Sequence, residues 1–417
     1  MYTHNYVLPY TNHTNLDPLV ISSAKDFHLI TQNGEKILDA QCGNINCNLG
    51  YSQHSISDSI YQASQALPFS RLNNGMLAEI GDTYSKRLAK YFPNHSKFFF
   101  GTSGSDAIET AIRLSYMTRL KQKSKKTKII TVKGSYHGST WLTGSISDLG
   151  GLGQHLPDWK DNIKLSSPFG NDGSLTIEEL KKLDATEVSC VVIEPFTYLS
   201  GVLESSRDFW RSLEEWCINS DVYLILDECA SGFHKTGSMF YYHKMGITPT
   251  FVCMSKSITA GYAPLSAVAI LNHVWNIICE DWIVHGWTNS GTTIGLAAAN
   301  TSLSIYEQFN YDNQSMVDDF LSWLKEEHDI TATRRIGNFF AFEMKSRKWR
   351  RDVGVRFADV ALKHKLQLTT FKYDAVARGL IPLNATGDYF EELKEKVSLV
   401  INDKQLLRSS IVNTMSV

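Results

Sequence analysis

Apolar residues fall in short, unbroken runs through much of the chain: Phe98–Phe100, Ile129–Val132, Cys190–Ile193, Val222–Leu226 and Thr250–Cys253. Runs of this length that do not alternate with polar residues suit parallel strands covered on both faces. Between them lie longer segments with apolar residues three and four apart, such as Asp106–Leu120 and Arg207–Asn219, which is helical spacing. Strands alternating with helices predict an α/β fold around a mainly parallel sheet. After about residue 310 the texture changes. Ser315–His328 reads as a helix, Gly337–Glu343 as a strand, and Val353–Lys365 and Glu391–Ile401 as further helices. This predicts a smaller α+β domain over 309–417 behind a large domain over 51–308, with residues 1–50 crossing over to join the smaller one. A chain of 417 residues exceeds what one core normally organises, which also points to two domains.

Composition narrows the class. Hydrophobic residues make up 43% and charged residues 20%, ordinary for a soluble globular protein. A formal net charge of −2 gives no electrostatic case for nucleic acid or an anionic membrane as partner. The opening MYTHNYVLPY lacks a basic stretch followed by an apolar one, so it does not read as a signal peptide. No run approaches the length of a membrane span. The seven cysteines show no paired metal spacing beyond the closeness of Cys42 and Cys47, and reduced thiols in a cytoplasmic enzyme fit best. The basic tract Lys121–Lys128 lies between a helix and a strand and reads as a solvated loop.

Ligands of open α/β sheets sit at the carboxyl ends of the strands, so polar residues just after each apolar run carry the candidate chemistry. Phe98–Phe100 is followed by Gly101-Thr-Ser-Gly-Ser-Asp106 and then a helix. Glycine and free N–H groups at a helix start suit a phosphate, although Ser and Asp there are also ordinary caps. Ile129–Val132 leads to Tyr136-His137-Gly138, where an aromatic can stack on a planar cofactor or simply fill core. Val222–Leu226 ends in Asp227-Glu228, whose carboxylates could bind metal, act as a base, pair with a ring nitrogen or be structural. Thr250–Cys253 leads to Met254-Ser-Lys256-Ser257. A lysine in that place is usually exposed, but this one stands among small residues, and an amine in a partly desolvated pocket becomes a nucleophile towards an aldehyde.

The order of these segments is more specific than any one of them. GTSGSDAIETAIRLSY (101–116), YHGST (136–140), VVIEP (191–195), LILDECASGFHKTGSMF (224–240), MSKSITAGYAPLSAV (254–268) and HGWTNSGTTIGLAAA (285–299) together resemble the class III (ω-) aminotransferases, within the fold-type I enzymes that use pyridoxal 5′-phosphate (PLP). The turn Asn46–Gly50 and His54 match as well, and the resemblance spans roughly residues 35–345. It implies a large domain with a mainly parallel seven-stranded sheet flanked by helices. It also implies that Lys256 is the Schiff-base lysine and that Asp227 pairs with the pyridinium nitrogen, keeping the ring an electron sink. By the same resemblance Tyr136 stacks on the ring beside His137, while Ser103, Gly104 and Ser105 hold the phosphate. Glu194 lies near the cofactor O3′ and the substrate, and Thr288 reaches the phosphate of a neighbouring subunit in a homodimer with shared sites. The implied reaction moves an amino group from a small-molecule amine donor to a carbonyl acceptor. A ping-pong mechanism with Lys256 as acid and base is the expectation.

Two departures bear on substrate. The acid that many relatives carry shortly after the Glu-Pro pair is absent from Glu194–Val202. The arginine that many use for a substrate carboxylate falls near Phe371, with Lys372 next to it and Arg378 close by. A lysine replaces a bidentate arginine poorly, so an unusual substrate and a specialised biosynthetic role are expected. The loop Arg71–Gly75 could line the pocket or merely pack. A racemase, aminomutase or decarboxylase would need the same cofactor residues, and intact Lys256 and Asp227 disfavour a non-catalytic relative.

Overall fold

The computed structural model describes residues 4–14, 16–70, 75–149, 156, 161–308, 313–327, 330–344, 353–370 and 375–403. Arg71–Asn74 of the candidate pocket loop, His328, Phe371 and Lys372 lie outside the described residues. The chain divides into two compact units, one of residues 54–309 and one joining 1–53 to 310–417.

Strands are numbered along the chain. The first three are β1 (Ile21–Lys25), β2 (His28–Thr31) and β3 (Lys36–Asp39). Then come β4 (His95–Gly101), β5 (Lys128–Val132), β6 (Asn162–Leu165), β7 (Val188–Ile193), β8 (Tyr223–Asp227), β9 (Phe251–Met254) and β10 (Ser266–Leu271). The last are β11 (Ile330–Ile336), β12 (Phe339–Met344), β13 (Leu366–Gln367) and β14 (Val376–Leu380).

In the unit of residues 54–309, seven strands form one sheet in the order β4-β10-β9-β8-β7-β5-β6. Only β10 runs against its two neighbours; the remaining pairings are parallel. Strands β7, β8 and β9 are buried along their whole length, as their unbroken apolar runs require. Fully covered residues such as Val192, Ile225 and Val252 each contribute roughly 1.5–3 kcal/mol by leaving water. At the edges, β4 and β6 are more open and carry Ser96, Lys97 and Lys164. The helix Gly104–Lys121 presents Ala107, Ile108, Ala111 and Leu114 to a cluster that includes Val192, Ile225 and Val268. The basic tract fills the gap between that helix and β5, and Lys121, Lys126 and Lys128 pair with Asp281, Asp221 and Glu187.

Apolar runs predict five of the seven strands. β6 is a short edge strand whose lysine breaks its pattern, and β10, Ser266–Leu271, is not among the runs read as strands. In the other unit, β1-β2-β3-β13 and β11-β12-β14 form two sheets. Leu38, Phe320, Phe342, Leu366 and Leu393 belong to its core. The Gly337–Glu343 run is the strand β12, but its partner β11 is not expected from the sequence, because Thr331, Thr333, Arg334 and Arg335 interrupt it. Those arginines pair with Glu343 and Asp318. Arg378 lies fully buried in β14, in register with Ala341 of β12.

Candidate active site

The parallel strands deliver their chemistry to one edge of the sheet. Asp227 ends β8, Glu194 follows β7, Lys256 follows β9, Tyr136 and His137 follow β5, and Ser103 follows β4. Register keeps the two carboxylates level, since Ile193 pairs with Leu226 one residue before each.

Asp227 is buried and held from both sides. One carboxylate oxygen lies 3.0 Å from His137 Nδ1 and the other accepts from Cys229 N at 3.1 Å. Burial works to raise its pKa, but the bond and charge of His137, the contact with Cys229 and the charge of Lys256 outweigh it and hold the carboxyl below its ordinary value. An ionised Asp227 has no proton to give, so His137 Nδ1 is the donor. The other ring nitrogen, Nε2, is buried with no hydrogen-bond partner among the described residues. Sequence gives no local signal for this pair, whose members stand 90 positions apart. The His137 N–H is fixed separately by Ser147 Oγ at 2.9 Å.

Glu194 accepts from Tyr136 N at 3.2 Å. Burial pushes its pKa up to about 7; His137 and Lys256 oppose the rise and Asp227 adds to it. The charge of Lys256 thus acts on both acids, Asp227 held below its ordinary value and Glu194 poised near neutrality. Lys256 opens a single 3-10 turn, Lys256–Thr259, with left-handed backbone at φ +49.

The helix Gly104–Lys121 begins at the same edge. Ser103 is its cap and is already engaged in a capping box, its Oγ accepting from Asp106 N. The Asp106 carboxylate accepts in turn from Thr102 N, Thr102 Oγ1 and Ser103 N. That leaves the N–H groups of Gly104 and Ser105 without acceptors among the described residues, the usual state of a helix's first turn and one that suits an anion. Ser105 Oγ accepts from Ser139 N at 3.2 Å and keeps its own proton to donate. A Cβ at Gly104 would stand 3.3 Å from Cys229 Sγ, so the helix start is pressed against the residue that follows Asp227-Glu228.

PLP fits this donor set. A free amine, an ionised carboxylate, unpartnered helix N–H groups and an orphaned imidazole nitrogen match its aldehyde, ring nitrogen, phosphate and polar rim. Thr288 is not part of the cluster within one chain. It lies exposed in a turn where Ser290 N donates to Trp287 O.

Comparison with known proteins agrees. The family model "Aminotransferase class-III" matches residues 10–406, a wider span than the motif-bearing 35–345. The chain is 24% identical to the diaminobutyrate–2-oxoglutarate transaminase of Halomonas elongata, over 92% of this chain and 90% of that one. It is 28% identical to the adenosylmethionine-8-amino-7-oxononanoate aminotransferase of Geobacter sulfurreducens, over 84% of each. An amine transaminase from an uncultivated Pseudomonas species, solved in its PLP-bound form, shares the fold with a TM-score of 0.88 at 23% identity, over 95% of this chain and 98% of that one. A family match over nearly the whole sequence places this chain in the class-III aminotransferases, PLP-dependent enzymes that move amino groups between small-molecule amines and carbonyl compounds.

Proposed function

We propose that transamination here runs on Lys256, Asp227 and Glu194, with Ser103, Gly104, Ser105, Tyr136 and His137 as the cofactor shell. The observation that carries this reading is the convergence of an amine, two carboxylates of different pKa and an open helix start on one sheet edge. PLP, when bound, supplies an electron-poor ring that accepts the electron pair released as the substrate C–H bond breaks. Lys256 Nζ would hold the cofactor covalently and, once released, would be the group that takes up and gives back the substrate proton. Asp227, held ionised with the help of His137, would keep a proton on the cofactor's ring nitrogen. Gly104 N, Ser105 N and Ser105 Oγ would bind the phosphate, and Ser103 would act through the cap that keeps them in place. Glu194 stores a proton near neutral pH on the side of Tyr136.

Thr288 completes the phosphate site of a second copy in this reading. Around it the segment is unusually apolar for a surface: Trp282 is 90% exposed and Val284 69% exposed, with Tyr116 and Leu120 open on the adjoining helix face. Such a patch suits a homodimer interface, and sedimentation should give twice the 47.0 kDa of one chain. A monomer that binds PLP fully would sink the shared-site part. Seven free thiols suit a reducing, cytoplasmic setting, and no helix among the described residues is long and apolar enough to cross a membrane. The altered carboxylate-binding position supports a specialised, biosynthetic amine or carbonyl substrate.

Borohydride trapping followed by peptide mapping tests the assignment. A pyridoxyl group is expected on Lys256, with Lys256→Ala taking up no covalent cofactor. A group found on another lysine would overturn it.

A further inference from the structure

Left-handed backbone at Lys256 is costly for a residue with a long side chain, and Ala260 ends the same turn at φ +50. Such a turn persists only where its surroundings over-determine it. Here those surroundings converge on the next residue, Ser257, which is completely buried. Ser257 Oγ accepts from Lys235 Nζ at 2.9 Å. Its carbonyl accepts from Tyr306 OH at 2.8 Å and from Ala260 N at 3.1 Å.

Lys235 is itself 0% exposed, and a buried ammonium is expensive unless its neighbours compensate for lost water. Glu228, directly after Asp227 and equally buried, feels its charge. Glu228 is anchored in turn by Ser231 Oγ and by Tyr242 N at 2.8 Å. Tyr306 packs its ring against Phe233 and His234 at 5.7 and 6.2 Å, and both of those residues are left-handed at φ +64. A single connected set therefore runs from the end of β8, through the loop that carries Lys235, to the turn after β9 and the helix Thr293–Gln308.

We propose that Lys235, Ser257 and Tyr306 are positioning residues that lock the left-handed turn of Lys256, aiming its amine at the reacting carbon and tying that aim to the strand end that carries Asp227. The proposal rests on Lys256 being the cofactor lysine. All three residues are buried, so their loss should disturb proton transfer rather than amine binding. A misplacement of about 1 Å in such a step costs on the order of a hundredfold in rate.

The test uses the full PLP-loaded chain as Ser257→Ala, Tyr306→Phe, Lys235→Met and the Lys235→Met/Ser257→Ala double variant. In the folded variants kcat should fall by about tenfold or more while KM for the amine donor stays within about threefold. The pH midpoint of the visible cofactor band should move with kcat. The double variant should lose no more than Lys235→Met alone, because the two act as one unit. Should Lys235→Met fail to fold, Ser257→Ala and Tyr306→Phe decide by the same measurements. An unchanged kcat and band midpoint in folded Ser257→Ala, losses that multiply in the double variant, or a change in KM alone would overturn the proposal. Lys256→Ala separates the two levels. If it lacks the visible band while Ser257→Ala behaves normally, only the positioning role falls. If it keeps the band, both assignments fall.

Discussion

At the scale of single residues, the cluster contains buried acids driven in opposite directions. Burial raises Glu194 and Glu228 from an ordinary 4.5 to about 7, while His137 and Lys256 help hold Asp227 below 3.8. The signs follow from proton linkage. Between 4.5 and about 7 the folded chain keeps protons on Glu194 and Glu228 that the unfolded chain has released, so their contribution to stability declines as pH rises through that window. Asp227 works the other way, adding stability above 3.8 that disappears as pH falls through its lower folded value. In the cofactor-free protein, Glu194→Gln should therefore show a shallower fall of thermal midpoint between about pH 5 and about pH 7 than the natural chain. Equal slopes would mean that Glu194 is already ionised when buried. Asp227 ends an apolar run, Glu194 directly follows one, and Lys256 stands two residues beyond β9, so their places at strand ends are readable from the sequence. The partnership of His137 with Asp227 is not, since no local pattern announces a contact across 90 positions.

At the scale of elements, the phosphate-binding reading rests on how the helix Gly104–Lys121 meets the loop after β5. Gly138, at φ +130, lies where a Cβ would stand 2.3 Å from Ser105 Oγ and 2.6 Å from Thr143 Oγ1. Gly138→Ala is strained on its own backbone and must also displace Ser105. Cofactor affinity should fall by about tenfold, equivalent to roughly 1.4 kcal/mol, with little change in secondary structure. An unaltered dissociation constant for PLP, measured by fluorescence titration, would remove Ser105 from the phosphate site. Most strands buried on both faces are readable as continuous apolar runs, though β10, equally buried, is not among them. β6 and β11 are hidden by an edge lysine and a pair of paired arginines. None of the three carries a proposed cofactor residue.

At the scale of the whole molecule, the family match over residues 10–406 reaches well beyond the motif-bearing 35–345. The match therefore carries the class and its cofactor. Arg378 illustrates the limit. The sequence places it close to the expected carboxylate-binding position, yet it is buried within β14, and its burial could not be read from its neighbours. The most direct test of the central claim, transamination through Lys256, is the absorbance spectrum of the purified chain as amine donors are added without any carbonyl acceptor. The account predicts a band at about 410–430 nm that gives way to one near about 330 nm and returns when a keto acid is added. A visible band that persists while the amine is racemised or decarboxylated, or no visible band at all after incubation with PLP, would contradict it.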